Sequence, residues 1–240
     1  MNVKLRGLTK EFGSSPPVLD GLSISFREGE VIAVLGANGA GKTTLLCCLC
    51  GLLGVPKGTL FFDDEPFRRG DLDHRRKFIF QPDLPLVLDY RTPIDNVAKY
   101  AELWSLDGKT PKTSPEIATN YFERFKLTKK LARPLSELSR GELYKACAVG
   151  VRTADPDLWL LDEPFAAGMD AAGARTLGEM ICEAATERGK TVLFTTQFPE
   201  LALRWCSRFI VLRDGKVQMD HLKSELTDSI KEDLNRELGL

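Results

Sequence analysis

The residues with the plainest chemistry lie in Gly36-Ala37-Asn38-Gly39-Ala40-Gly41-Lys42-Thr43-Thr44. The spacing G-x-x-x-x-G-K-T is that of a phosphate-binding loop. Gly36, Gly39 and Gly41 let successive backbone N–H groups close on anionic oxygens without a Cβ in the way. Lys42 is expected to reach the β- and γ-phosphates of a nucleotide, and the Thr43 hydroxyl to ligate Mg²⁺. Asn38, Ala40 and Thr44 share the loop and count as nucleotide-binding candidates with it. A glycine-rich turn beside a solvated lysine would explain the glycines but not the Lys-Thr pair that follows. A second group is Leu160-Leu161-Asp162-Glu163-Pro164, an apolar run ending in two acids. Asp162 fits a carboxylate that holds Mg²⁺ at a strand end, and Glu163 is placed to polarise an attacking water as general base. Paired acids often end a strand in solvent, but so apolar a run puts them at the carboxyl edge of a sheet, where ligands bind. Ser139 and Glu142 form a third signal, a capping box that turns a hydroxyl and free N–H groups outward at a helix N-terminus.

Such chemistry needs a strand before the glycine loop and a helix after it. The apolar run Val31 to Leu35 and the helix-compatible segment Thr44 to Leu53 supply both, and the dipole of that helix favours anions at its start. Val3 to Phe12 and Val18 to Phe26 alternate as strands on either side of a Gly13–Pro17 loop, and Gly58 to Phe62 reads as another strand. The mixed-charge stretch from Asp63 to Lys77 reads as a solvated loop or exposed face. Lys77 to Phe80 is a short strand. Thr92-Pro93-Ile94-Asp95 carries an N-cap, a first-turn proline and an acid three residues past the cap, which predicts a helix from Pro93 to Trp104. Another is expected over Pro115 to Phe125. The core resumes with a strand at Leu158, a helix over Ala172 to Arg188, a strand over Thr191 to Thr196 and a helix over Glu200 to Ser207. A hairpin follows around Asp214-Gly215. Leu222, Leu226, Ile230, Leu234 and Leu238 recur every four residues and predict a last amphipathic helix.

The expected fold is therefore α/β, with a mainly parallel sheet, an N-terminal antiparallel β portion and an inserted helical portion. One domain over 1–240 is expected, with 1–82 and 153–220 as nucleotide-binding core, 83–152 as helical subdomain and 221–240 as C-terminal helix. The chain has 240 residues, 43% of them hydrophobic, enough for a substantial core. Lys plus Arg number 33 against 34 Asp plus Glu, and a net charge of −1 gives no field for gripping nucleic acid. No apolar run nears the about 18 residues of a membrane span, and Met1 to Phe12 lacks a signal peptide's apolar centre. Six cysteines without regular metal-ligand pairs fit a reducing compartment. Cys47 and Cys50, with Cys48 between them, read as ordinary small helix residues.

Leu138-Ser139-Arg140-Gly141-Glu142, followed in register by Ala154-Asp155-Pro156-Asp157 and Asp162-Glu163-Pro164, closely resembles the signature region of ABC-type ATPases. The resemblance covers nearly the whole chain and weakens around Asp107 to Pro115 and after His221. It implies ATP and Mg²⁺ as ligands. It also implies that Ser139 and Gly141 face the γ-phosphate of a nucleotide held by a second cassette, identical or not, and that a separate integral membrane permease is driven by the pair. The chain is then expected to be cytoplasmic and peripheral on the cytosolic face of the membrane. By the same resemblance Phe12 stacks on adenine, Gln81 touches Mg²⁺, and Asp83 to Tyr90 receives the membrane partner. Three departures stand out. Gln197 occupies the place of a histidine that contacts the γ-phosphate and orients the attacking water. Asp170 follows a loop one residue longer than usual, and Arg140 and Glu142 replace a glycine and a glutamine. Gln197 cannot carry a proton charge, which leaves open a weakly hydrolysing regulatory subunit, although Glu163 argues against it. A soluble single-cassette ATPase of the iron–sulfur assembly type is the third reading.

Overall fold

Alternation and glycine placement decide the first strands. The structure, a computed structural model, describes residues 1–85, 91–104, 115–166 and 168–239. β1 (Val3–Lys10) buries Val3, Leu5 and Leu8, β2 (Leu19–Phe26) buries Leu22, Ile24 and Phe26, and the two pair antiparallel. β3 (Val31–Leu35) is buried at every position, as a strand covered on both faces must be, and the glycine loop leads from it into α1 (Lys42–Leu49). β4 (Leu60–Phe62) and β5 (Glu65–Pro66) complete an antiparallel sheet of order β2-β1-β4-β5. α2 (Leu72–Arg76) follows, and β6 (Phe78–Gln81) enters the second sheet. α3 (Pro93–Trp104), α4 (Pro115–Arg124) and α5 (Arg140–Ala154) come before β7 (Leu158–Leu161). The chain then runs through α6 (Ala171–Arg188), β8 (Thr191–Thr196), α7 (Pro199–Trp205), the hairpin β9 (Arg208–Arg213) and β10 (Lys216–Leu222), and α8 (Asp228–Leu238).

The second sheet has the order β10-β9-β3-β8-β7-β6, parallel except for β10. This is the α/β class, with the mainly parallel sheet and the N-terminal antiparallel sheet expected from the sequence. Leu35 lies opposite Thr196, Phe194 opposite Leu161, and Leu161 opposite Gln81. That register brings the glycine loop, the Asp162-Glu163 pair, the end of β8 and Gln81 to one carboxyl edge. One apolar core, with Trp159, Phe194 and Leu177, lies between this sheet and the helices of the second half. Another, with Phe26, Leu45 and Leu160, lies between the two sheets and α1.

The expected cap of α3 forms: the Asp95 amide donates to Thr92 Oγ1 at 3.2 Å and the Thr92 amide to Asp95 Oδ2 at 3.0 Å. One expectation is narrowed and one fails. The mixed-charge stretch is not all loop, because Asp71 caps α2 by accepting from the Asp73 and His74 amides. His74 is buried there, accepting from the Arg68 amide at 3.0 Å and stacking on Phe67. The last leucine series is not one helix. Leu222 pairs with Arg208 at the end of β10, and α8 begins only after the Thr227 cap, so the ladder overrides the helical spacing. The segment expected to receive a membrane partner, Asp83 to Tyr90, lies outside the described residues from position 86 onward.

α4 is tied to α6 by a polar network. Arg124 pairs with Glu183 at 2.9 Å and Glu179 at 3.1 Å, and the Tyr121 hydroxyl donates to Glu183. Burial works to raise the Glu183 pKa, but hydrogen bonds from Arg124 and Tyr121 outweigh it and hold the carboxyl below its usual value. A depressed carboxylate stabilises the fold above its unfolded pKa and loses that contribution as pH falls through the folded value. Thermal melting from about pH 6 to about pH 3 is therefore expected to show a shallower acid decline in Glu183→Gln than in the unaltered protein. Equal slopes would remove Glu183 from the acid response.

Candidate functional site

The glycine loop is held from behind by backbone. A Cβ on Gly36 would stand 2.4 Å from the Leu212 carbonyl oxygen, and one on Gly41, whose φ is +100°, would stand 2.8 Å from the Val18 carbonyl oxygen. Neither neighbour can yield as a flexible side chain would, so the sequence must supply glycine. At the loop's end Lys42 is buried. Its Nζ donates to the Gly36 carbonyl at 2.8 Å and the Ala37 carbonyl at 3.2 Å, and pairs with Glu163 Oε1 at 3.2 Å. Three acceptors fix one ammonium against the loop that opens α1.

Asp162 leaves the end of β7 and is 4% exposed. A carboxylate so placed must be satisfied, and both its oxygens are. Thr43 Oγ1 donates to Oδ2 at 2.8 Å, and Thr195 Oγ1 donates to Oδ1 at 2.7 Å. The Thr195 hydroxyl in turn accepts from the Glu163 amide at 2.9 Å. Glu163 has φ +43°, a strained backbone for a residue with a Cβ, and its amide and carboxylate contacts together hold it there. Gln81 is 1% exposed, donates from Nε2 to the Tyr144 carbonyl at 3.3 Å, and leaves Oε1 buried without a partner among the described residues.

Lys42, Thr43, Asp83, Asp162, Glu163 and Asn38 line one open cleft of about 460 Å³. Its lining carries three carboxylates against one ammonium. The Thr43 hydroxyl and the Asp162 carboxylate, which meet in the cleft, are hard oxygen donors of the kind that suits Mg²⁺, and the orphaned Gln81 oxygen, outside the cleft's lining, is a third of that kind. No group of three or more His, Cys, Asp or Glu side chains among the described residues could hold a metal alone.

The remaining sequence candidates lie apart from this cleft. Ser139 caps α5 as expected, accepting from the Glu142 amide at 3.3 Å while Glu142 Oε2 accepts from the Ser139 amide at 3.1 Å. Gly141 is buried, with room for no Cβ because the Gly168 carbonyl oxygen would stand 2.7 Å from it. Asp170 stands at the N-cap position of α6 without a capping side-chain hydrogen bond and pairs with the buried Lys145, whose hydrogen bond holds its carboxyl below the usual value. Phe12 is half exposed with Lys10 Nζ 5.6 Å from its ring centre. Gln197 is exposed just past β8. Neither Phe12 nor Gln197 lines the cleft. Cys47, Cys48 and Cys50 are free thiols, and burial raises all three, Cys48 to about 11 and Cys50 to about 12. Thr195 did not stand out in the sequence, although a hydroxyl near the end of a wholly buried strand must find a partner.

A strand, a glycine loop and a helix, with an acid pair closing the cleft from a nearby parallel strand, define a phosphate-loop nucleotide-binding fold. A family model described as ABC transporter matches residues 19–166, and the chain belongs to that family. The sulfate/thiosulfate import ATP-binding protein CysA 2 of Rhizobium meliloti (strain 1021) is 32% identical over 235 residues, which cover 95% of this chain and 62% of that protein. The SkfA peptide export ATP-binding protein SkfE of Bacillus subtilis (strain 168) is 30% identical over 199 residues, 83% of this chain and 80% of that protein. The chain thus spans a little under two thirds of the CysA 2 relative. Among solved structures, the ATP-binding subunit of an ABC transporter aligns with a TM-score of 0.84 at 23% identity, covering 100% of this chain and 94% of that one. An ATP-binding cassette of an ABC transporter in its ADP conformation aligns with a TM-score of 0.78 at 24% identity, covering 100% and 98%. At these identities the structural likeness speaks for the fold alone.

Removing the Thr195 hydroxyl leaves a buried carboxylate oxygen and the Glu163 amide each short of a bond. Thr195→Val is expected to lower unfolding free energy by about 1–3 kcal/mol in urea titrations, with Thr195→Ser recovering most of the loss. Equal stability of the Val and Ser variants would show that the hydroxyl contributes nothing.

Proposed function

We propose that this chain is an ATP-binding and ATP-hydrolysing subunit that powers a membrane transporter through ATP-driven pairing of two cassettes. The observation that carries this is the meeting of Lys42, Thr43, Asp162 and Glu163 in one cleft at the start of α1. In this reading the loop amides of 36–44 and the α1 dipole cradle the phosphates, and Lys42 neutralises β- and γ-phosphate oxygens. Thr43, Asp162 and Gln81 would hold Mg²⁺, which when bound would supply charge neutralisation to the transferred phosphoryl group. Glu163 accepts a proton from the attacking water. Ser139 and Gly141 of a second cassette, identical or not, complete the site, and Phe12 takes the adenine face.

The division into a core of 1–82 and 153–220, a helical portion of 83–152 and a C-terminal portion of 221–240 belongs to the same reading. So does a place on the cytosolic face of a membrane beside an integral permease. No helix among the described residues is long and apolar enough to cross a membrane, which agrees with a separate membrane partner. Import and export names both occur among the relatives, so cargo and direction are left to that partner.

A second reading, a nucleotide-binding regulatory subunit that scarcely hydrolyses, is favoured by the exposed Gln197 outside the cleft. Two variants separate the readings. Glu163→Gln is expected to cut steady-state ATPase by about 100-fold or more and to accumulate an ATP-dependent dimer in gel filtration. Persisting turnover without a dimer would contradict the proposal. A wild-type rate raised by about tenfold or more in Gln197→His would instead support the regulatory reading.

A further inference from the structure

Asp83 is the one carboxylate lining the cleft that neither Lys42 nor a threonine hydroxyl engages among the described residues. Its partner comes from α5: Arg140 Nη2 pairs with Asp83 Oδ2, while Asp83 Oδ1 is buried without a partner. Arg140 is where this chain departs from the glycine implied by its resemblance. Its position is set by two neighbours. Ser139, the residue before, is locked by the capping box. Tyr144, one turn later on the same helix face, accepts from Gln81 through its carbonyl. Gln81 and Asp83, two residues apart, thus meet Tyr144 and Arg140, one turn apart, and this pair of contacts aims the guanidinium at the cleft's rim.

We propose that Arg140 is a specificity-determining residue for polyphosphate in the chain's own cleft: it masks the charge of Asp83, which would otherwise repel the ligand. This rests on the nucleotide reading given above. An exposed ion pair contributes little to stability, and Arg140 is half exposed, so a role as a structural staple is the weaker explanation. A polyphosphate brings several negative charges against a lining of three carboxylates, and one more uncompensated carboxylate across a water-filled cleft is worth about fivefold in affinity.

Masking makes the two partners of the pair unequal, which a staple would not. Calorimetric titration of the full chain with MgATP at low salt is expected to show Arg140→Ala binding about fivefold more weakly. Asp83→Asn, which frees the guanidinium beside the cleft, is expected to bind about twofold to fivefold more tightly. The double variant should return to within about twofold of wild type, Arg140→Lys should stay within the same margin, and the differences should shrink as salt rises. Circular dichroism melts verify folding of each variant. Equal weakening by both single variants, or no change in Arg140→Ala, overturns the masking role while leaving nucleotide binding intact. Failure of the wild type itself to bind MgATP overturns both readings.

Discussion

The carboxylate of Asp162 sits at the end of β7 almost out of solvent, and two hydroxyls from different elements satisfy its two oxygens. Burying a carboxylate is tolerable only with such partners. The contacts therefore constrain everything that carries them: α1 through Thr43, β8 through Thr195, and β7 itself. All three are held by the parallel register in which Leu161 faces Phe194 and Leu35 faces Thr196. A slip of one residue in β8 would turn Thr195 to the other face of the sheet and leave Asp162 Oδ1 bare. Apolar packing on both faces of these strands keeps that slip from happening.

The glycine loop is fitted to the same frame from the opposite side. The end of β9 and the residue before β2 press backbone carbonyls against Gly36 and Gly41, so packing fixes the loop's path. Lys42 is then held between loop carbonyls and Glu163, whose own left-handed backbone is anchored through Thr195. One threonine hydroxyl accordingly links the acid that suits a metal ion to the acid proposed as base. Precise placement of this kind is what catalysis by positioning requires.

Much of this was legible in the residues. The glycine spacing, the apolar run into Asp162-Glu163, the Ser139–Glu142 box and the Thr92–Asp95 cap are local patterns, and local chemistry alone determines them. Apart from Thr43 and Asp162, both assigned to Mg²⁺ from their motifs, contacts between distant segments were not legible. Thr195 reaches Asp162 across 33 positions, and Arg140 reaches Asp83 across 57. Nothing near either residue announces its partner. The α2 region was masked by its charges, since Phe67 and His74 are too few to set a period against so many acids and bases. The four-residue leucine series failed for the opposite reason: a clean helical period at Leu222 lost to the ladder with Arg208, because tertiary pairing outweighs local spacing.

In the proposed function, Asp162 and Thr43 are the place where a magnesium nucleotide is held. Calorimetric titration with ATP, with and without Mg²⁺, in wild type and in Asp162→Asn tests this most directly. The expected result is that Mg²⁺ tightens ATP binding by about tenfold or more in the wild type and hardly at all in Asp162→Asn. An Asp162→Asn protein that keeps the full magnesium effect would contradict the account.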